Sequence, residues 1–72
     1  MGLKANIPKQ HYDTCLNLLP SETAPTVANL ANSEYISVEV VCTAVQARDL
    51  SPKLYQLGAR GILTYPLETI IS

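Results

Sequence analysis

The 72 residues make one small domain, residues 1–72, with 47% apolar and 15% charged side chains, a globular rather than a disordered composition. A net charge of −1, with Lys4, Lys9, Arg48, Lys53 and Arg60 scattered along the chain, excludes the dense basic surface that nucleic acid binding needs. No apolar run approaches the ~20 residues of a membrane span, the opening Met-Gly-Leu-Lys-Ala-Asn lacks the apolar stretch of a signal peptide, and a cytoplasmic location is expected.

Leu3, Ala5 and Ile7 alternate with Lys4 and Asn6, the period-2 pattern of a strand with one buried face. Pro8 stops that strand and suits the first turn of a helix. Tyr12, Cys15, Leu16 and Leu19 then fall at i, i+3, i+4, i+7 and predict an amphipathic helix, which Leu19-Pro20 ends. Ser21 to Pro25 reads as a loop, Thr26 to Ala31 as a short strand and Asn32-Ser33 as a turn. Glu34 to Thr43 gives the strongest strand signal, with Ile36, Val38, Val40 and Cys42 on one face and Tyr35, Ser37, Glu39, Val41 and Thr43 on the other.

A second helix is expected from Val45 to Leu57, its stripe formed by Ala47, Leu50, Leu54 and Leu57. Pro52 either kinks it or marks a start at a Ser51 N-cap, and Gly58 is placed as the C′ glycine that ends it. Gly61 to Tyr65 is a last strand closed by Pro66, and Leu67 to Ile71 trails as an apolar tail. The order βαββαβ predicts an α+β, ferredoxin-like fold: a four-stranded antiparallel sheet with two helices on one face. The other face is left open, and alternation puts Asn6, Glu39, Val41 and part of the Thr26 strand on it.

Signals for chemistry are sparse. His11, the single histidine, falls near the start of the first helix, and Cys15 one turn on belongs to the apolar stripe, so a surface histidine and a core cysteine are the expectation. Cys42 reads the same way. With no C-x-x-C spacing and one histidine, no metal site or other cofactor is expected. Glu39, a carboxylate within an apolar strand, reads as an interface or structural group, with a ligand contact as the alternative. Gly58-Ala59-Arg60-Gly61 follows a helix and lacks phosphate-loop spacing, so it reads as a helix-to-strand turn. Acylphosphatases share this topology and hold phosphate with an arginine after the first strand; here that loop is Ile7-Pro8-Lys9-Gln10, without one. A core this small, with no metal or disulfide framework, points to oligomerisation.

Three segments carry a resemblance: Asn6-Ile7-Pro8, then Leu18-Leu19-Pro20 with Ala24-Pro25-Thr26-Val27-Ala28-Asn29-Leu30, and the distinctive close Gly58-Ala59-Arg60-Gly61-Ile62-Leu63-Thr64-Tyr65-Pro66-Leu67-Glu68-Thr69-Ile70-Ile71. From Leu3 to Ile71 the chain resembles the C-terminal regulatory domain of the long form of ATP phosphoribosyltransferase, the first enzyme of histidine biosynthesis. The resemblance implies a PII/ACT-like regulatory module that associates through its open sheet faces into trimers and binds L-histidine between neighbouring domains for allosteric feedback. It implies no catalysis by these residues, since phosphoribosyl transfer needs upstream catalytic domains, which would be the partners.

By position in those motifs, Asn6 matches a polar contact to the histidine amino group or ring, Thr26 a hydroxyl contact, Val41 an apolar or backbone contact, and Gly61 a backbone contact. Three positions depart from the family pattern: Ala24 stands for a usual serine, Asn6 for an acid in some relatives, and Asn29 for a common proline. The alternative expectation is a trimerisation or adaptor module of the same fold that binds no ligand.

Overall fold

Alternation along two central strands decides where the core lies. In the computed structural model, which describes residues 1–20, 24–31 and 33–68, these strands are β1 (Gly2–Pro8) and β3 (Tyr35–Val41). They pair antiparallel along their whole length, from Gly2 opposite Val41 to Pro8 opposite Tyr35. Leu3, Ala5 and Ile7 of β1 and Val38 and Val40 of β3 therefore share one face, and all five are buried. The edges are β2 (Thr26–Asn29) beside β3 and β4 (Arg60–Tyr65) beside β1, giving the order β2-β3-β1-β4. With α1 (Tyr12–Leu18) and α2 (Ala44–Gln56) the chain has the βαββαβ order and the ferredoxin-like α+β fold expected of it.

The helices close the core through Cys15 of α1 and Ala47, Leu50 and Leu54 of α2, with Cys42 and Ala59 completing it. Each fully buried Leu, Ile or Val in such a cluster contributes about 1.5–3 kcal/mol relative to exposure. Tyr12, Leu16, Leu18 and Leu19 pack half-buried against its rim.

Local chemistry sets the boundaries. Pro8 does not open a helix: its ψ of 135° makes it the last residue of β1, and a 3-10 turn, Lys9–His11, precedes α1. Proline fixes φ near −65°, a value that strand and helix share, so the choice falls to ψ and to pairing. Here the next N–H, that of Lys9, bonds to the Glu34 carbonyl at 2.9 Å and keeps the chain extended. Leu19, ahead of Pro20, turns extended and ends α1 as expected.

At α2 the start comes from Thr43, whose Oγ1 accepts from the Gln46 N–H (3.1 Å) while the Gln46 side chain accepts from the Thr43 N–H (2.9 Å), a capping box. That use of Thr43 also shortens the third strand, which stops at Val41. Pro52 lies inside one helix beginning at Ala44, so Ser51 is no N-cap; its hydroxyl donates back to the Ala47 carbonyl at 2.7 Å.

The end of α2 is a Schellman motif. Gly58, at φ 94°, donates to the Tyr55 carbonyl (3.0 Å) and Ala59 to the Leu54 carbonyl (3.0 Å), and the buried Leu54 and Ala59 make the accompanying apolar pair. β2 ends at Asn29, two residues before the expected boundary, and all four of its residues are exposed. At the following turn the Ser33 hydroxyl accepts from the Tyr35 N–H at 3.0 Å. Asn32, residues 21–23 of the expected loop and residues 69–71 of the expected tail lie outside the described residues.

Candidate functional site

The face of the sheet away from the helices carries the residues that neither core nor caps consume. Register places them in rows: Thr26, Glu39 and Lys4 run across β2, β3 and β1, and Ala28, Ser37 and Asn6 form the next row. Directly opposed residues of antiparallel strands point to the same side, with Cβ atoms about 5 Å apart, so the register alone fixes these neighbours.

At β4 the register slips. Lys4 opposes Leu63 but Asn6 opposes Arg60, which puts one extra residue into β4. Gly61 has a φ of 62°, the left-handed conformation in which glycine builds such a bulge. A Cβ there would stand 3.2 Å from Asn6 Nδ2, so Asn6 and Gly61 are in contact.

Thr26 and Val41 belong to another part of the face. They line a cleft of about 300 Å³ together with Ala24, Glu39, Val40 and Tyr65. The Tyr65 hydroxyl donates to a carboxylate oxygen of Glu39. Tyr65 lies across Gly2, where any Cβ would run into its ring. The four positions picked out from the sequence thus form two pairs: Asn6 with Gly61, and Thr26 with Val41. Thr26 and Asn6 are two strands and two residues apart, about 12 Å from strand spacing and rise. Lys4, Ser37 and Glu39 lie between the two pairs in the register.

Sequence reasoning missed a larger cleft, of about 430 Å³, at the other end of the sheet, lined by Pro8, His11, Glu34, Tyr35, Leu57 and Arg60 among others. It brings together segments far apart in the chain, and no local pattern signals it. Arg60 on its wall is occupied. Its guanidinium donates to the carbonyls of Ala59 (2.7 Å) and Tyr55 (3.3 Å) and stacks 4.3 Å above the Tyr55 ring. A cation there satisfies the negative end of α2, and Gly58 to Gly61 is the helix-to-strand turn expected.

Both cysteines are buried and unbonded to each other. Burial pushes the Cys15 thiol above its ordinary pKa, which disfavours the thiolate that nucleophilic chemistry requires. Among the described residues no group of three or more His, Cys, Asp or Glu side chains could hold a metal ion, and no helix is long and apolar enough to cross a membrane.

Comparison with known proteins agrees with the motif reading. The family model described as "HisG, C-terminal domain" matches residues 1–69. The ATP phosphoribosyltransferase of Solidesulfovibrio magneticus is 52% identical over 71 residues, covering 99% of this chain and 24% of that protein. Its counterpart from Desulfosudis oleivorans is 48% identical, with 99% and 24% covered. That of Pelotomaculum thermopropionicum is 44% identical, with 99% and 25% covered. The chain thus spans about a quarter of the length of these relatives.

Proposed function

The chain belongs to the HisG C-terminal domain family, and from that premise we propose that it is a regulatory domain that binds L-histidine between copies of itself. The relatives are ATP phosphoribosyltransferases, and the partner that reads the bound state is the catalytic part of such an enzyme, in the cytoplasm. The domain itself carries out no chemistry. The assembly is a trimer, joined through the open sheet faces.

One observation carries this reading: the residues matched to the ligand contacts lie on the same open face but as two separate pairs, with Lys4, Ser37 and Glu39 between them. A neighbouring copy that brings its Thr26 and Val41 to the Asn6 and Gly61 of the first completes a site at the junction. Asn6 then offers its carboxamide to the ligand, Thr26 its hydroxyl, Val41 an apolar wall and Gly61 its backbone. Because the ligand touches two copies, its affinity differs between packings of the assembly. That differential affinity shifts an existing equilibrium, and the shift is what an attached catalytic domain would sense.

Titrating L-histidine into isotopically labelled protein, with a light-scattering mass on the same sample, tests the reading. Saturable amide shifts at Asn6, Thr26, Val41 and Gly61 in an oligomer are expected. An oligomer without shifts at millimolar histidine would overturn it.

A second reading has its own observation. Val41 and Leu63 are 48% and 50% exposed on the open face, two apolar side chains whose burial suits assembly with or without a ligand. In an assembly or adaptor module, replacing Asn6 and Thr26 together by alanine changes nothing. In the regulatory domain the same replacement abolishes the response to histidine.

A further inference from the structure

The cleft at Thr26 has one formal charge on its walls, and that charge is negative. Glu39 is its carboxylate, and its other lining residues, Ala24, Thr26, Val40, Val41 and Tyr65, are neutral. Glu39 is also the one carboxylate carried by any strand among the described residues. A half-buried carboxylate in a mainly apolar strand loses hydration and needs compensating donors. Tyr65 supplies one, to one carboxylate oxygen. An ionised carboxylate accepts up to about four hydrogen bonds, so acceptor capacity remains. Lys4 stands opposite Glu39 on β1, but the ion pair formed among the described residues is Arg48–Asp49 on α2.

We propose that Glu39 captures the α-ammonium group of the amino acid, with Tyr65 as the positioning residue that aims it. The inference rests on the histidine-site reading above and adds the charged partner that the four motif-matched positions lack, since Asn6, Thr26, Val41 and Gly61 are all neutral. Thr26 lies directly across from Glu39, and both line the cleft, so its hydroxyl and the Glu39 carboxylate are neighbours there. An ammonium has three donors and can meet both at once. Tyr65 reaches Glu39 by crossing Gly2, the position where a side chain would block it. The site would therefore select ligands that keep a free amino group and discriminate against those without one.

Calorimetric titration of the whole chain with L-histidine and with imidazolepropionate, which keeps the ring and carboxylate but lacks the ammonium, tests the inference. Wild-type protein should prefer L-histidine by roughly tenfold to a hundredfold, the range for a hydrogen bond to a charged group. Glu39→Gln keeps the shape and removes the charge, and should erase that preference by weakening L-histidine alone. Tyr65→Phe should reduce it only several-fold, since the carboxylate stays but loses its tether. L-histidine binding to wild type with equal binding of imidazolepropionate, or a preference unchanged in E39Q, would overturn the role of Glu39 and leave the histidine site standing. Absence of any L-histidine binding to wild type would overturn both. Equal binding of the two ligands by the wild type overturns the role of Glu39 whether or not a variant folds.

Discussion

The two faces of the sheet are made by the same four strands and share every ladder hydrogen bond, yet they hold different chemistry. Toward the helices, Leu3, Ala5, Ile7, Val38 and Val40 are at most 2% exposed. Away from them, Lys4, Asn6, Ser37, Glu39 and Val41 interleave charge, amide, hydroxyl and one apolar side chain. Val38 and Glu39 are chain neighbours, and one is core while the other is cleft wall. A period of two residues thus separates the core face from the open face without any extra element. Substitutions on the inner face should be read in unfolding, and those on the outer face in association.

The strongest way to break that division is Ile7→Ala or Leu54→Ala, each truncating a fully buried side chain. A loss of about 3 kcal/mol is expected in denaturant unfolding, within the usual range for such truncations; a loss below about 1 kcal/mol would mean that the core is not where the alternation puts it. Gly58→Ala comes next. It forces a left-handed conformation on a residue with a Cβ 3.0 Å from Pro8 Cγ, and about 1–2 kcal/mol of thermal stability should go.

The third test uses pH. Burial raises the Cys15 thiol pKa in the folded chain, so the unfolded chain ionises first as the solution turns alkaline. The stabilisation is complete below the ordinary thiol value of about 8.5 and is lost as pH climbs toward the raised one. Unfolding midpoints should therefore fall in that alkaline window and fall less steeply in Cys15→Ala; parallel slopes would refute the assignment. Smallest in stability, and sharpest for the comparison, is the double change Val41→Ser with Leu63→Ser on the outer face. Monomer stability should move by less than about 0.5 kcal/mol, while the light-scattering mass at a given concentration drops.

Most of the fold was legible because its signals are local. Strict alternation announced β1 and β3, the Leu19-Pro20 pair announced the end of α1, and Gly58 announced the end of α2. Errors arose where one residue could serve two structures. Pro8 fits a strand end and a helix start through the same φ, and Thr43 fits a strand residue and an N-cap. Pro52 fits a helix interior and a helix start alike, and the choice is made nine residues upstream, by the capping box of Thr43 and Gln46.

The candidate site was legible only as single positions. That Asn6 touches Gly61 follows from the bulge in β4, and that Thr26 shares a cleft with Val41 follows from the pairing of β2 with β3. Both are long-range register, which no local window contains. The contact between Tyr65 and Glu39 was hidden for the same reason, since the two lie 26 positions apart.

Gly2 makes this geometry hang on a single hydrogen atom. Its missing side chain is the space through which Tyr65 crosses β1. A serine or alanine at position 2 would lift the tyrosine off its track and leave Glu39 untethered. Variants that differ only there would then part in how Glu39 is held while giving nearly the same circular dichroism spectrum.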